Sequence, residues 1–485
     1  MTNAAGAELL AVDLGTQSLR LTAYDASGGR AWSWSAPVDS QIGGDVFEQS
    51  PAQWAALLLH GLSAAQQAGV RPTAMAAAGP LAGYVALDAE GEPLGAATMY
   101  PDRRAAPQAS HVAATLHTSG GDRGLRVHPA DPLPQWMRFA GSHPEAASRT
   151  RGFVDATGWL NHFLTGECTL NPFTSLRLYD AGLRQALGCD GAPFGRIVEI
   201  GDELGTLRPA LAARFGLGRV RVFGAAFDSK CAYLGSGLSL PGEATDISGT
   251  VSSFGVFWPH PVDDPARRIY SVPFAGQHLV RGSTAAAGSS LEWVRGNLLH
   301  EDPEALERRA ADAPPGAQGL SFLPYLSGER SPLWNPWASG ALLGLRLGST
   351  PADLARAVFE GLAFSVGHIA DVVRERGVVL RNVRLAGGLA RSALLCQIKA
   401  DVLGVPVARF VDHELTSLGV GALLAVATGQ AADLAEASRR FTAIERWFEP
   451  CDATRAAHLA AYERYRAASA ALEPGFTQSP RAAES

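Results

Sequence analysis

The pattern of apolar and polar positions opens as a meander. Residues 9–13 form a short apolar run, 15–17 supply turn residues, and 19–24 alternate apolar with polar positions. Alternation of this kind predicts strands with one buried face. Residues 30–38 alternate again and predict a third strand. Residues 51–68 then recur at helical spacing behind Ser50, a residue type that caps helix N-termini. Strand signals return at 73–78 and 84–87, and the stretch from about 105 to 215 reads mainly as helices and loops.

The pattern restarts near residue 220. Apolar 220–225 predicts a strand, 226–234 a turn leading into a helix, and Pro241-Gly242 a break. Residues 245–247 and 252–258 predict a second strand-turn-strand. After it come a long helix (352–376), a strand (383–386), a helix (391–403), a strand (405–410) and a helix of small residues (415–428). A loose tail is expected at 471–485. The two beginnings echo each other: Asp13-Leu14-Gly15-Thr16 returns as Asp246-Ile247-Ser248-Gly249-Thr250, each at a tight turn between strands. A chain of 485 residues is too long for one core. The reading is an α/β protein of two related lobes, 1–240 and 241–470, each opening with a β-hairpin and facing the other across a central cleft.

Charge and composition narrow the classes. The net charge is -6 and no basic tract follows the pattern of a phosphate backbone, so nucleic acid is not an expected partner. No uninterrupted apolar run is long enough for a membrane span and no export signal is legible, which predicts a soluble, cytoplasmic protein with no membrane partner. The five cysteines are far apart, with no C-x-x-C pair, and read as buried free thiols. Only two lysines occur, Lys230 and Lys399, and neither follows a glycine-rich strand-to-helix turn. A Walker-type phosphate loop, which needs its lysine, is therefore excluded.

The hairpin turns offer another way to hold phosphates. Glycine and hydroxyl residues let backbone N–H groups approach phosphate oxygens. Gly15, Thr16, Gln17 and Ser18 fit that role in the first lobe, and Gly249 and Thr250 in the second; either set alone also reads as an ordinary turn. Asp13, at the end of the first strand, is placed to hold Mg²⁺ through water, or simply to cap the turn. Arg20 reaches phosphate or a salt bridge. Asp228 follows the strand 220–225 at the start of a helix, among the small residues Gly224, Ala225, Ala226 and Ser229. A carboxylate there suits the base that phosphoryl transfer to a hydroxyl requires; an N-capping role is the plainer alternative.

Four separated segments resemble the FGGY carbohydrate kinases of the actin-like, RNase H-like ATPase superfamily. They are Ala11 to Arg20, Gly224 to Gly235 around Asp228, Asp246 to Gly255, and a C-terminal stretch. That stretch starts at Leu323-Pro324-Tyr325-Leu326-Ser327-Gly328-Glu329-Arg330-Ser331-Pro332 and resumes at Leu385-Ala386-Gly387-Gly388-Leu389-Ala390-Arg391-Ser392. The resemblance implies two RNase H-like lobes and an ATP-dependent, Mg²⁺-using kinase of a small sugar. It implies a metal-proximal Asp13, a first phosphate hairpin at Thr16, Gln17, Ser18 and Arg20, and a second at Gly249 and Thr250. Gly387, Gly388 and Ser392 fall on its adenosine-binding turn, and Asp228 on its catalytic base.

On the sugar side, Gly79-Pro80-Leu81-Ala82-Gly83 stands where xylulokinases carry Gln-Met-His. Leu81 and Ala82 replace Met and His, so a polar sugar contact is missing there. Tyr100-Pro101-Asp102-Arg103-Arg104-Ala105 is similar to the family's W-x-D-x-R-A, and Asp102 is expected to accept hydrogen bonds from sugar hydroxyls. The resemblance is closest to xylulokinases, which implies D-xylulose converted to D-xylulose 5-phosphate. D-ribulose, or another ketose or polyol, is the alternative within enzymes. An actin-like ATPase that drives interactions without a sugar acceptor is the alternative from another class. A homodimer is left open.

Overall fold

The computed structural model describes residues 8–118, 127–171 and 181–477. The chain divides into two compact units. One comprises Met1–Gly237 with Leu415–Phe441, the other Leu238–Glu414 with Thr442–Ser485. The expected division near residue 240 is thus interrupted: residues 415–441, read as part of the second lobe, belong to the first unit. Their helix Leu415–Ala427 lies backbone against backbone on the helix Asp228–Gly235. A Cβ placed on Gly235 would run into the Leu415 carbonyl, and one on Gly419 into the Cys231 carbonyl. Only glycine at both positions permits so close a crossing.

The first unit is built on a six-stranded sheet. In spatial order its strands are Glu203–Thr206, Arg221–Gly224, Ala74–Ala78, Leu9–Leu14, Ser18–Tyr24 and Arg30–Pro37. Leu9–Leu14 pairs antiparallel with Ser18–Tyr24 and parallel with Ala74–Ala78, which in turn pairs parallel with Arg221–Gly224. Leu10, Val12, Leu14, Leu19 and Leu21 all enter one core with Trp54, Leu58 and Leu62 of the helix Pro51–Gln67. That helix starts as predicted, with the Ser50 side chain accepting from the Gln53 N–H at 3.3 Å.

The second unit repeats the plan. Its seven-stranded sheet runs Tyr270–Phe274, Gln277–Ser283, Ser252–Trp258, Glu243–Ser248, Asn382–Ala386, Val407–Phe410 and Ile444–Phe448. Again the opening strand is antiparallel to its hairpin partner and parallel to a later strand, Asn382–Ala386, which is parallel to the next. The echo in the sequence is therefore an echo in topology: an antiparallel meander continued by parallel strands, twice.

Two regions depart from expectation. The middle of the chain has its helices, but it also contributes Gly152–Val154 to a five-stranded sheet with Gln41–Gly43, Val46–Gln49, Ala82–Leu87 and Ala97–Met99. The C-terminal part is a 21-residue helix, Asp452–Leu472, followed by a 3₁₀ turn at Glu473–Gly475. Phe476 stacks edge-on against Tyr325 at 6.2 Å, so residues 471–477 are anchored where a loose tail was expected. Residues 478–485 lie outside the described residues. Among the described residues no helix is long and apolar enough to cross a membrane. All five cysteines are free thiols.

Candidate functional site

In the first unit the sheet gathers three loops. Asp13 is in register with Ala78, and Ala77 with Gly224. The segments that follow these parallel strands, 15–17, 79–81 and 225–228, therefore leave the sheet side by side. The carboxyl edge of parallel strands is where open α/β sheets bind ligands. Asp228 is tied to its neighbour there: its N–H donates to the Gly79 carbonyl at 2.8 Å, and the Thr416 hydroxyl donates to the Asp228 carbonyl at 3.3 Å.

The Asp228 side chain has little help in carrying charge. Its Oδ1 accepts from the Ser229 N–H at 2.6 Å, a bond that favours the ionised form. Desolvation is the larger effect and pushes the carboxyl up to about 6. Cys231, one helical turn on, has its thiol pushed up to about 12, first by burial and further by the charges of Asp13 and Asp228. The thiol is thus an inert neighbour. Asp13 is 8% exposed, with the Arg20 guanidinium 3.6 Å away.

The turn after Asp13 is closed by the Gly15 N–H donating to the Ser18 carbonyl at 2.8 Å. The Thr16 and Gln17 carbonyls are drawn back by the Gln49 amide and the Val38 N–H, both at 2.9 Å. A trans peptide points its N–H opposite to its carbonyl. The next N–H groups in the chain, those of Gln17 and Ser18, therefore face away from these braces.

The second unit treats its turn the same way. The Gly249 carbonyl accepts from the Gly288 N–H at 2.9 Å, and the Thr250 carbonyl from the Ala287 N–H at 2.9 Å and the Ser289 hydroxyl at 3.0 Å. Thr250 is exposed. Beside this turn, Gly387 has φ +81°, and a Cβ there would come within 2.5 Å of the Ser248 carbonyl. Gly388 is exposed, with nothing near its missing Cβ. The pair thus divides its tasks: Gly387 packs the turns together, and Gly388 leaves a flat, open backbone. Ser392 caps the next helix, its hydroxyl accepting from the Leu395 N–H at 3.0 Å.

Two sugar-side expectations need correction. Asp102 is 0% exposed and its oxygens are occupied: Oδ2 accepts from the Phe47 N–H at 3.0 Å, and both oxygens accept from the Arg104 guanidinium. Arg104 also reaches Glu48. Asp102 is the buried anchor of a local ion-pair network and has no lone pair left for a sugar. Ala82, at φ +70° and 2% exposed, presents no surface, whereas Leu81 is half-buried. The Tyr100 ring stacks on His128 at 4.8 Å, nearly parallel.

Sequence reasoning assigned no role to Lys399 or Glu329. Lys399 is 1% exposed and binds Asp246 and the Ser248 hydroxyl, the latter at 2.8 Å. The signal was available: a lysine on a helix whose neighbours Leu395, Cys396, Ile398 and Val402 are all buried. Glu329 accepts from the Ala285 and Arg330 N–H groups, each at 2.7 Å, and burial pushes its carboxyl up to about 8.

Comparison with known proteins identifies the family. Residues 9–235 match the N-terminal domain, and 246–428 the C-terminal domain, of the FGGY family of carbohydrate kinases. A glycerol kinase of Geobacter sp. (strain M21) is 30% identical over 472 residues, covering 91% of this chain and 94% of the relative. A xylulose kinase of Staphylococcus epidermidis is 26% identical over 474 residues, covering 91% and 92%. The solved structure of a ligand-bound xylulose kinase from Lactobacillus acidophilus superposes with a TM-score of 0.87 over 96% of this chain and 98% of that one, at 20% identity. With both domains matched in order and a relative aligned nearly end to end, the chain belongs to the FGGY family of carbohydrate kinases, ATP-dependent phosphotransferases with a sugar acceptor.

Proposed function

We propose that this kinase phosphorylates a ketopentose, D-xylulose first, with Asp228 as the base. The observation that carries the reading is the Asp228 carboxyl, held at a helix start and raised to about 6. A base of that strength is ionised at neutral pH yet takes a proton more readily than an ordinary aspartate. The sugar hydroxyl oxygen forms a bond to the γ-phosphorus, the bond from that phosphorus to the β-bridging oxygen breaks, and the hydroxyl proton passes to Asp228. ADP leaves with the electron pair.

The nucleotide half of the reading uses backbone. The N–H groups at Gln17 and Ser18, with Arg20, and those following Gly249 and Thr250 face phosphate oxygens; Gly387 and Gly388 form the floor for the adenosine. Among the described residues no cluster of three metal-binding side chains occurs. That suits Mg²⁺, which keeps several waters and takes one or two carboxylates plus substrate phosphates. Asp13 is the carboxylate that would hold it, and the ion would neutralise phosphate charge.

Leu81 offers a sugar no polar group and Asp102 is committed elsewhere. Hydroxyl discrimination at this edge is therefore weak, and D-xylulose and D-ribulose are expected to be turned over comparably. Support for D-xylulose comes from the xylulose kinases among the relatives. The glycerol kinase at 30% identity favours a second reading, a shorter polyol. ATP consumption measured with D-xylulose, D-ribulose and glycerol tests both. Activity on glycerol alone would overturn the ketopentose assignment.

A further inference from the structure

The ion pair of Lys399 with Asp246 stands at the base of a turn that the proposed function gives to phosphate. Asp246 and Ser248 are two positions apart on the strand Glu243–Ser248 and so share one face of the sheet. Ser252 is the cross-strand partner of Ser248, and Gly249, Thr250 and Val251 form the turn between them. Lys399 reaches this face from the helix Ala393–Leu403. Its ammonium binds Asp246 Oδ2 and donates to the Ser248 hydroxyl at 2.8 Å. Ser248 Oγ is also 3.0 Å from Asp246 Oδ1 and 2.7 Å from Ser252 Oγ. All four side chains are buried.

Donor and acceptor rules leave this set little freedom. An ammonium only donates and a carboxylate only accepts. Ser248 Oγ accepts from Lys399, so its own proton goes to Asp246 Oδ1, and Ser252 donates to Ser248 Oγ. The two stems of the turn are thereby clasped at their hydroxyls. The Ser252 backbone is held as well: its N–H donates to the Thr284 hydroxyl at 3.0 Å, and its carbonyl accepts from the Thr284 N–H at 2.9 Å. Above the clasp the Gly249 N–H closes onto the Val251 carbonyl at 2.9 Å. Fixed stems fix the peptide planes between them, and with those planes the directions of the N–H groups.

The helix that carries Lys399 starts behind Ser392, directly after the Gly387-Gly388 turn. Asn382–Ala386 runs parallel to Glu243–Ser248 with Ala386 beside Ile247, so the two turns leave the sheet side by side. Lys399 thus ties the helix behind one turn to the base of the other. Stability alone does not call for such a pair, because apolar residues of similar volume often serve as well. Donors that receive phosphate charge do need directions set beforehand. We propose that Lys399 is a positioning residue for the nucleotide, acting through Asp246 and Ser248 to aim the N–H groups of the turn 249–251. The inference rests on the phosphate role proposed for that turn.

Isothermal titration of the full chain with adenylyl imidodiphosphate and Mg²⁺ tests the proposal without turnover. The double variant Asp246→Asn/Lys399→Met strands neither charge and should keep its urea midpoint near the wild type. It should nevertheless bind the analogue about tenfold more weakly. Its KM for ATP should rise by the same factor, while KM for the sugar that turns over fastest stays within about twofold. Ser248→Ala leaves the ion pair in place and should weaken the analogue by a similar factor; adding the double change to it should then weaken it little further. Unchanged affinity in a stable double variant would make the pair purely structural. An equal rise in both KM values would mean a loosened fold and overturn the positioning role. Ser248→Ala with wild-type affinity would overturn it too, and decides the matter where the double variant fails to fold. Thr250→Glu, which sets a negative charge on the exposed turn, is the control. If it leaves the analogue's affinity unchanged, phosphate does not lie there and both readings fall; if it alone weakens binding, only the role of Lys399 does.

Discussion

The two opening hairpins share a sequence echo and a place in their sheets, yet their aspartates are used differently. Asp13 sits at the edge of its strand beside the Asp228 loop, with Arg20 3.6 Å away. Asp246 is wholly enclosed, bound by Lys399 and by the Ser248 hydroxyl at 3.0 Å. Ser248 in turn meets Ser252 at 2.7 Å, so the second carboxylate is neutralised inside the unit. One scaffold thus appears twice, once with its acid beside the Asp228 loop, where the proposed function would use it, and once with its acid enclosed in an ion pair. A shared motif fixes the backbone; the residues packed against it fix the role.

The largest effect should come from the carboxylate on the chemical side. Asp228→Asn is expected to lower kcat by about 10²–10⁴-fold, measured by coupled ADP release. In the wild type, kcat/KM should rise with pH through about 6, as Asp228 ionises. The same shift has a sign for stability. Burial raises the folded value above the ordinary 3.8, so the group's stabilising contribution is complete below that value and is lost as pH rises through about 6. Urea titration at pH 7.5 should therefore show Asp228→Asn at least as stable as the wild type. A variant both inactive and destabilised at pH 7.5 would make Asp228 structural.

The hairpin comparison itself is broken or sharpened by two matched substitutions. Asp246→Asn leaves a buried lysine without its counter-charge and should cost about 3–5 kcal/mol in chemical denaturation. Combining it with Lys399→Met should recover most of that loss. Asp13→Asn should leave the denaturation midpoint near the wild type and raise the Mg²⁺ concentration needed for half-maximal rate. If the two single variants behaved alike, the division of roles would be wrong.

Smaller effects separate the two adjacent glycines. Gly387→Ala forces a side chain into left-handed backbone against Ser248 and should cost about 1–3 kcal/mol of stability. Gly388→Ala meets open space, so its melting temperature should not move, while KM for ATP rises a few-fold. An unchanged KM for ATP in Gly388→Ala would remove the adenosine from this turn. Thr250→Val should raise KM for ATP by a similar factor and leave KM for the sugar alone.

The hairpins, the helix after Ser50 and the start of the Asp228 helix were legible because each rests on a local rule: alternation, capping, or a strand followed by small residues. The five-stranded sheet was not. Three of its strands, Gln41–Gly43, Ala97–Met99 and Gly152–Val154, have three residues each, too few to show a period. Asp102 misled because a sequence shows that a carboxylate is present but not which way it faces; Arg104, two positions on, had already claimed it. Lys399 was counted for what it excluded and not for the buried acid it serves. The return of residues 415–441 to the first unit depends on two glycines 184 positions apart, Gly235 and Gly419, and no local pattern records a contact of that range.

That return has a consequence in time. As the chain leaves the ribosome, residues 1–237 emerge without the helix that covers the Asp228 helix, and residues 238–414 must be made before it arrives. At about 5–20 residues per second, this leaves the first unit incomplete for on the order of ten seconds or more. The seat for Leu415–Ala427 around Cys231 and Gly235 stays open for that interval. The second unit, by contrast, is interrupted only by 415–441 and closes within seconds of passing them. The half of the molecule that is synthesised first is thus among the last to be finished, and its vulnerable period during synthesis is set by the length of the other half.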